Sequence, residues 1–285
     1  MKQMTRDGVL TDTPNSQDRF LQKLYTSLWG RCVLKIVTRP FLSKLAGWFL
    51  SKKCSCFLIP RFIKNNNIDM SQFEDVEYSS YNEFFCRKIR EGMRPIDGGE
   101  RNFISPCDSK LTVLPIVDGA RFTLKHTSYS IESLLQNKAL AEEFDGGLCL
   151  IFRLTVDDYH RYCYPVTGQK GENTFIQGVL HTVNPIANDV YPIYKENSRA
   201  YCVLENDVFG KLIMMEVGAL MVGKIVNHHG AGDITRGQEK GYFQFGGSTV
   251  VLLAKKDTLR IDGDILNNSA QNIETVVKMG EKIGT

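Results

Sequence analysis

The spacing of apolar positions changes character partway along the chain. Leu21, Leu24, Tyr25, Leu28, Cys32 and Ile36 recur at steps of three and four, which predicts one apolar face of a helix. Pro40 ends that helix and suits the first turn of another. Phe41, Leu45, Trp48 and Phe49 form the next stripe, and residues 81–90 give a third, shorter amphipathic piece. From Phe103 onward the pattern shifts to short strand-like runs. They cover residues 111–116, 148–154, 175–183, 201–204, 211–217, 241–245 and 249–254. Turn pairs such as Asp118-Gly119, Asp145-Gly146 and Asp262-Gly263 break them up. Ser130 is placed to cap a short helix over residues 130–135. The expectation is an α+β chain. Residues 1–102 are helical and basic, and residues 103–285 form a mostly antiparallel β domain, barrel-like or sandwich-like.

Composition excludes several classes. With 285 residues, 42% hydrophobic and 24% charged, the chain can bury a core unaided and is not disordered. No apolar run reaches 18 residues and the first 18 residues are polar, so neither a transmembrane helix nor a secretory signal is expected. The eight cysteines show no C-x-x-C spacing, so reduced thiols and no metal site are expected.

Charge changes the picture more. The net charge is +3, yet Arg19 to Ile68 holds ten Lys or Arg and no Asp or Glu, leaving the rest at −7. Both tryptophans, Trp29 and Trp48, fall in that stretch. Basic residues interleaved with aromatics predict an anionic membrane surface as partner. No nucleic-acid motif accompanies them, so nucleic acid is not expected. A plain helical cap with a solvated basic face is the alternative.

Three strings carry candidate chemistry. They are Ser105-Pro106-Cys107-Asp108, then Asp157-Asp158-Tyr159-His160-Arg161-Tyr162-Cys163, then Gly246-Gly247-Ser248-Thr249. Each alone has an ordinary reading: Asp108 a turn residue, His160 a structural polar group, the glycines a turn before a strand. The last string is neither a G-x-S-x-G elbow nor a phosphate-binding glycine loop.

Other strings join them in a fixed order. They are Tyr81 to Arg90, Arg94 to Asp97, His181 to Pro185, Glu196 to Arg199 and Val217 to Gly223. With these, the chain resembles the phosphatidylserine decarboxylase family, in particular its short prokaryotic-type members, from about Gly30 to Leu259. The resemblance implies a self-cleaving proenzyme. Ser248 Oγ would attack the Gly247 carbonyl, and the chain would part between Gly247 and Ser248. A β-chain of residues 1–247 and an α-chain of residues 248–285 would result, the latter headed by a pyruvoyl cofactor made from Ser248. That ketone would form a Schiff base with the amine of phosphatidylserine, and loss of CO₂ would give phosphatidylethanolamine.

The resemblance also implies Asp108, His160 and Ser248 as catalytic residues, with Asp108 orienting the processing base. The family's H-x-x-H pair reads His160 to Cys163 here, which leaves Cys163 as a second acid/base candidate. The implied setting is peripheral, at the cytoplasmic face of a membrane. Two alternatives stay open: a pyruvoyl decarboxylase of another amine, and an uncut, non-catalytic relative that binds phospholipid. The departure at Cys163 favours the second of these.

Overall fold

The apolar runs become the middle of one open sheet. The structure, a computed structural model, describes residues 2–12, 25, 40–124, 126–182, 192–219, 224–245 and 248–285. The helix expected over residues 21–36, Tyr25 apart, and Gly246-Gly247 lie outside the described residues. Eight strands form the body of the sheet: β1 (Lys2–Thr5), β2 (Leu10–Asp12), β3 (Ser109–Pro115), β4 (Leu148–Leu154), β5 (Arg199–Asn206), β6 (Gly210–Val217), β7 (Ser248–Ala254) and β8 (Glu274–Val277). Their order is β5-β6-β7-β4-β3-β8-β1-β2. Neighbours run antiparallel except β1 and β8, which are parallel. Shorter strands, Gly168–Lys170, Thr174–Ile176 and Gly232–Ile234, extend the β5 side.

Central strands β4, β6 and β7 are apolar on both faces, and every residue of β7 is buried. That burial is why they read as continuous runs rather than alternating ones. The barrel alternative does not hold. Among the described residues the two outermost strands, β2 and Gly232–Ile234, pair only inward and not with each other, whereas a barrel needs its end strands to meet. A second sheet, of Arg161–Cys163, Glu239–Phe243 and Ile225–Asn227, gives the sandwich-like character. A fully buried ion pair ties it to β6: Lys240 Nζ lies 2.8 Å from Glu216 Oε1, with Asn227 bonded to both. Burying that pair is tolerable because each charge is matched and hydrogen-bonded.

The N-terminal part is helical only in places. Helix α1 (Pro40–Leu50) and helix α2 (Ile59–Asn65) flank a 3₁₀ turn, Lys53–Leu58. Helix α3 (Tyr81–Phe85) takes up only half of the expected amphipathic piece. Its start is fixed by a reciprocal cap: Glu83 N–H donates to Ser80 Oγ, and Ser79 N–H donates to the Glu83 carboxylate. Leu50, Tyr81, Phe84 and Phe85 form a small core, with Phe62 packed against it. The α1 stripe faces outward instead, with Phe41 72% exposed and Trp48 61%. Strands β1 and β2 were not signalled by the polar N-terminal pattern. Arg6, just past β1, forms ion pairs with Asp262 at 2.9 Å and Asp264 at 2.5 Å.

Candidate active site

Strand register gathers the three strings at one end of the sheet. Ser248 opens β7 and pairs with Leu154, the last residue of β4. Lys110 pairs with Arg153, so Ser109 opens β3 in the same cross-strand row as Leu154 and Ser248. Two strand spacings, about 10 Å, separate β3 from β7. Asp108 and the loop after β4, which carries His160, leave the sheet at this same end.

Ser248 is fully buried, and its hydroxyl has no hydrogen-bond partner among the described residues. Such an orphaned polar atom is costly where it is buried, so its presence calls for a reason beyond packing. His160 is also buried. Its Nδ1 lies 2.9 Å from the Asp158 carbonyl oxygen, which can only accept, so Nδ1 carries the proton. Nε2 therefore holds a lone pair, and it has no partner among the described residues. Burial, with help from the Arg87 charge, lowers the imidazole from its ordinary value to about 3. It is neutral at pH 7.

Phe85 of α3 links His160 to the approach to Ser248. Its ring centroid is 4.1 Å from the imidazole and 5.2 Å from Phe245. Asn82 of the same helix accepts a hydrogen bond from Phe245 N–H at 3.2 Å. The loop that carries His160 is pinned by a buried pair, Lys110 Nζ to Asp158 at 2.6 Å, and Thr155 N–H also donates to Asp158.

Asp108 sits elsewhere in this network. Its carboxylate takes a fork from Arg94 and further bonds from Lys278 Nζ and Met279 N–H. Burial would raise its pKa, but Arg94 and Lys278 outweigh it and hold the group below the ordinary value. No hydrogen bond joins Asp108 to His160 among the described residues, and the Asp158 carbonyl is what fixes the ring. Cys163 is buried on the second sheet, where burial raises its thiol to about 12. Gly247, the other half of the expected cleavage site, lies outside the described residues.

Sequence reasoning missed Lys110, Asp158 and Arg94 as parts of this site. The one signal was Lys110, the single charge in a mostly buried strand. Arg94 was read only as part of a string.

The comparisons with known proteins agree with one another. The family model for phosphatidylserine decarboxylase matches residues 81–285. Phosphatidylserine decarboxylase proenzyme 2 of Clostridium acetobutylicum is 47% identical over 265 residues, 93% of this chain and 91% of that protein. The phosphatidylserine decarboxylase proenzyme of Clostridium perfringens is 39% identical over 272 residues, 93% and 92% of the two chains. That of Ruminiclostridium cellulolyticum is 39% identical over 272 residues, 93% and 91%. The chain belongs to the phosphatidylserine decarboxylase family.

Proposed function

We propose that this chain cuts itself before Ser248 and then decarboxylates phosphatidylserine to phosphatidylethanolamine. The observation that carries the reading is the buried, unpartnered Ser248 hydroxyl at the head of a central strand, in a chain of this family. A hydroxyl held there without a partner fits a residue that is to be consumed. In this reading Ser248 Oγ adds to the carbonyl carbon of residue 247, and the acyl group moves from nitrogen to oxygen. β-Elimination then frees residues 1–247 as a carboxylate and leaves a dehydroalanine heading residues 248–285, which tautomerises to an imine and is hydrolysed by water, with release of ammonia, to a pyruvoyl group. That group supplies a ketone, which takes up the substrate amine and drains electrons from the breaking C–C bond.

His160 is the base. Its Nε2 lone pair is free to accept the Ser248 proton, and its tautomer is already fixed. Cys163 is poorly suited, because a thiol held near 12 supplies almost no thiolate at neutral pH. Asp108 acts at a distance from His160, holding the start of β3 to Arg94 and to the C-terminal segment.

The substrate lies in a membrane, and the reading places the chain on its cytoplasmic face. The basic surface within residues 1–102 meets anionic lipid, and residues 103–285 carry the chemistry. Support comes from exposed Phe41, Leu45, Trp48 and Phe57 beside exposed Lys52, Lys53, Arg61 and Lys64. Among the described residues no helix is long and apolar enough to cross a membrane.

Intact mass spectrometry tests the reading. Purified protein should give two masses, for residues 1–247 and 248–285, and the smaller should react with hydroxylamine. It should release CO₂ from phosphatidylserine vesicles, and Ser248→Ala should do neither. A single uncut mass refutes the proposal.

A further inference from the structure

One buried charge near His160 has no counter-ion among the described residues. Arg87 is 2% exposed, and its Nε and Nη2 have no hydrogen-bond partner among the described residues. Only Nη1 is used, in a long bond to the Phe84 carbonyl at 3.4 Å. The guanidinium lies 4.3 Å from the Phe73 ring centroid and 4.9 Å from that of Phe84. Aromatic faces soften the burial of a cation but leave its in-plane donors unmet. The Tyr78 hydroxyl, on a ring packed edge-on to Phe84, is a further buried donor with no partner among the described residues. Glu74, Asp75 and Glu77 lie in the adjoining segment, yet all three stay exposed, and none pairs with Arg87 among the described contacts.

A buried, unpaired guanidinium fork is a receptor for an oxyanion that arrives from outside. It also lies at the proposed catalytic end. Arg87 follows Phe85, which packs on the imidazole, by two residues, and its charge is among those acting most strongly on His160.

We propose that Arg87 and the Tyr78 hydroxyl bind the phosphodiester of the lipid headgroup. This rests on the reading of the chain as a phosphatidylserine decarboxylase. Phosphatidylserine offers two oxyanions, the phosphodiester and the serine carboxylate. Pairing the carboxylate with a fixed cation would hold the ground state more tightly than the transition state, in which that charge is leaving as neutral CO₂. The phosphodiester keeps its charge throughout, so binding it costs no rate. It would also serve product and substrate alike.

The experiment measures self-cleavage, kcat and KM for Arg87→Gln, Arg87→Lys and Tyr78→Phe, with phosphatidylethanolamine as product inhibitor. Wild-type turnover is the control for the underlying reading. Its absence overturns that reading and leaves the Arg87 binding measurement standing. Arg87→Gln should cut itself fully, raise KM for phosphatidylserine at least tenfold and change kcat less than threefold. Inhibition by phosphatidylethanolamine, which keeps the phosphodiester and lacks the carboxylate, should weaken by the same factor. Arg87→Lys, a point charge without the fork, should recover part of the loss. An unchanged KM overturns the proposal. So does a raised KM with product inhibition intact, which would assign the fork to the carboxylate.

A second measurement covers the case in which the Arg87 variants fail to fold. Uncut Ser248→Ala protein should gain thermal stability from glycerophosphoethanolamine and none from ethanolamine. Equal shifts, or no shift, would refute phosphodiester binding.

Discussion

Arg94 closes a two-pronged grip on Asp108, with Nε 2.8 Å from Oδ1 and Nη2 2.6 Å from Oδ2. Lys278 adds a third contact at 3.3 Å from the far end of the chain. The aspartate expected to orient a histidine thus ties residues 94, 108 and 278 together. Asp108 is 2% exposed in its side chain and Arg94 only 10%, so removing one partner strands a nearly buried charge. Arg94→Gln should cost about 3 kcal/mol, the low end for breaking a buried pair. Arg94→Lys should restore less than half of it, since an ammonium cannot form the fork. Urea midpoints in an uncut Ser248→Ala background measure both. Wild-type midpoints for both variants would mean the grip has no structural role.

His160 makes stability depend on pH. Burial chiefly, then Arg87, lowers the folded imidazole to about 3, against an ordinary unfolded value near 6.5. The unfolded chain therefore takes up the proton first. The stabilising contribution is complete above about pH 6.5 and declines as pH falls toward 3. Between pH 7 and pH 5 the loss is about 2 kcal/mol. His160→Gln should flatten that part of the profile, whatever its own effect on packing. Parallel profiles for the two proteins between pH 7 and 5 would count against a neutral, buried His160.

Cys163 should be dispensable for processing. A thiol that burial holds near 12 is protonated throughout the working range. Cys163→Ala should self-cleave with a half-time within about twofold of wild type. His160→Ala should not mature at all. The reverse pattern on a time-resolved gel would make the thiol the processing base.

Membrane binding should split into two parts. Reversing Lys52, Lys53, Arg61 and Lys64 to Glu should weaken sedimentation with anionic vesicles, at about 1 kcal/mol per engaged charge. Raising salt should do the same, since the screening length falls from about 10 Å at 0.1 M to about 3 Å at 1 M. Trp48→Ala should weaken binding at every salt concentration. Equal recruitment to neutral and anionic vesicles would remove the electrostatic part.

The central strands were legible because they are buried on both faces, which writes long apolar runs into β4 and β6 and an almost wholly apolar one into β7. Strands β1 and β2 were not, since ion pairs of Arg6 accompany β1 where a buried apolar face would have left a pattern. His160 and Ser248 stood out through the strings around them. Arg87, Lys110 and Asp158 did not. A buried charge looks like a surface charge in sequence, and only the fold reveals that Lys110 and Asp158 pair with each other while Arg87 has no counter-ion among the described residues. Asp108 was found, but its partners lie 14 residues before it and 170 after it, beyond any local pattern.

The position of β7 bears on what would follow the proposed cut. The 38 residues from 248 onward supply β7, hydrogen-bonded to β6 on one side and β4 on the other. They also supply β8, lying between β3 and β1, and the strand Lys282–Gly284 against Phe103–Ile104. Cut before Ser248, the small fragment would stay threaded through the larger one and could not leave without dismantling the sheet. Before the cut, folding is a first-order event within one chain. Afterwards, regaining the same structure needs two molecules to meet, one of them carrying an exposed apolar strand. On the proposed cut, maturation would work as a ratchet. The cut protein would last as long as its first unfolding takes, its working lifetime set by a rate rather than by an equilibrium.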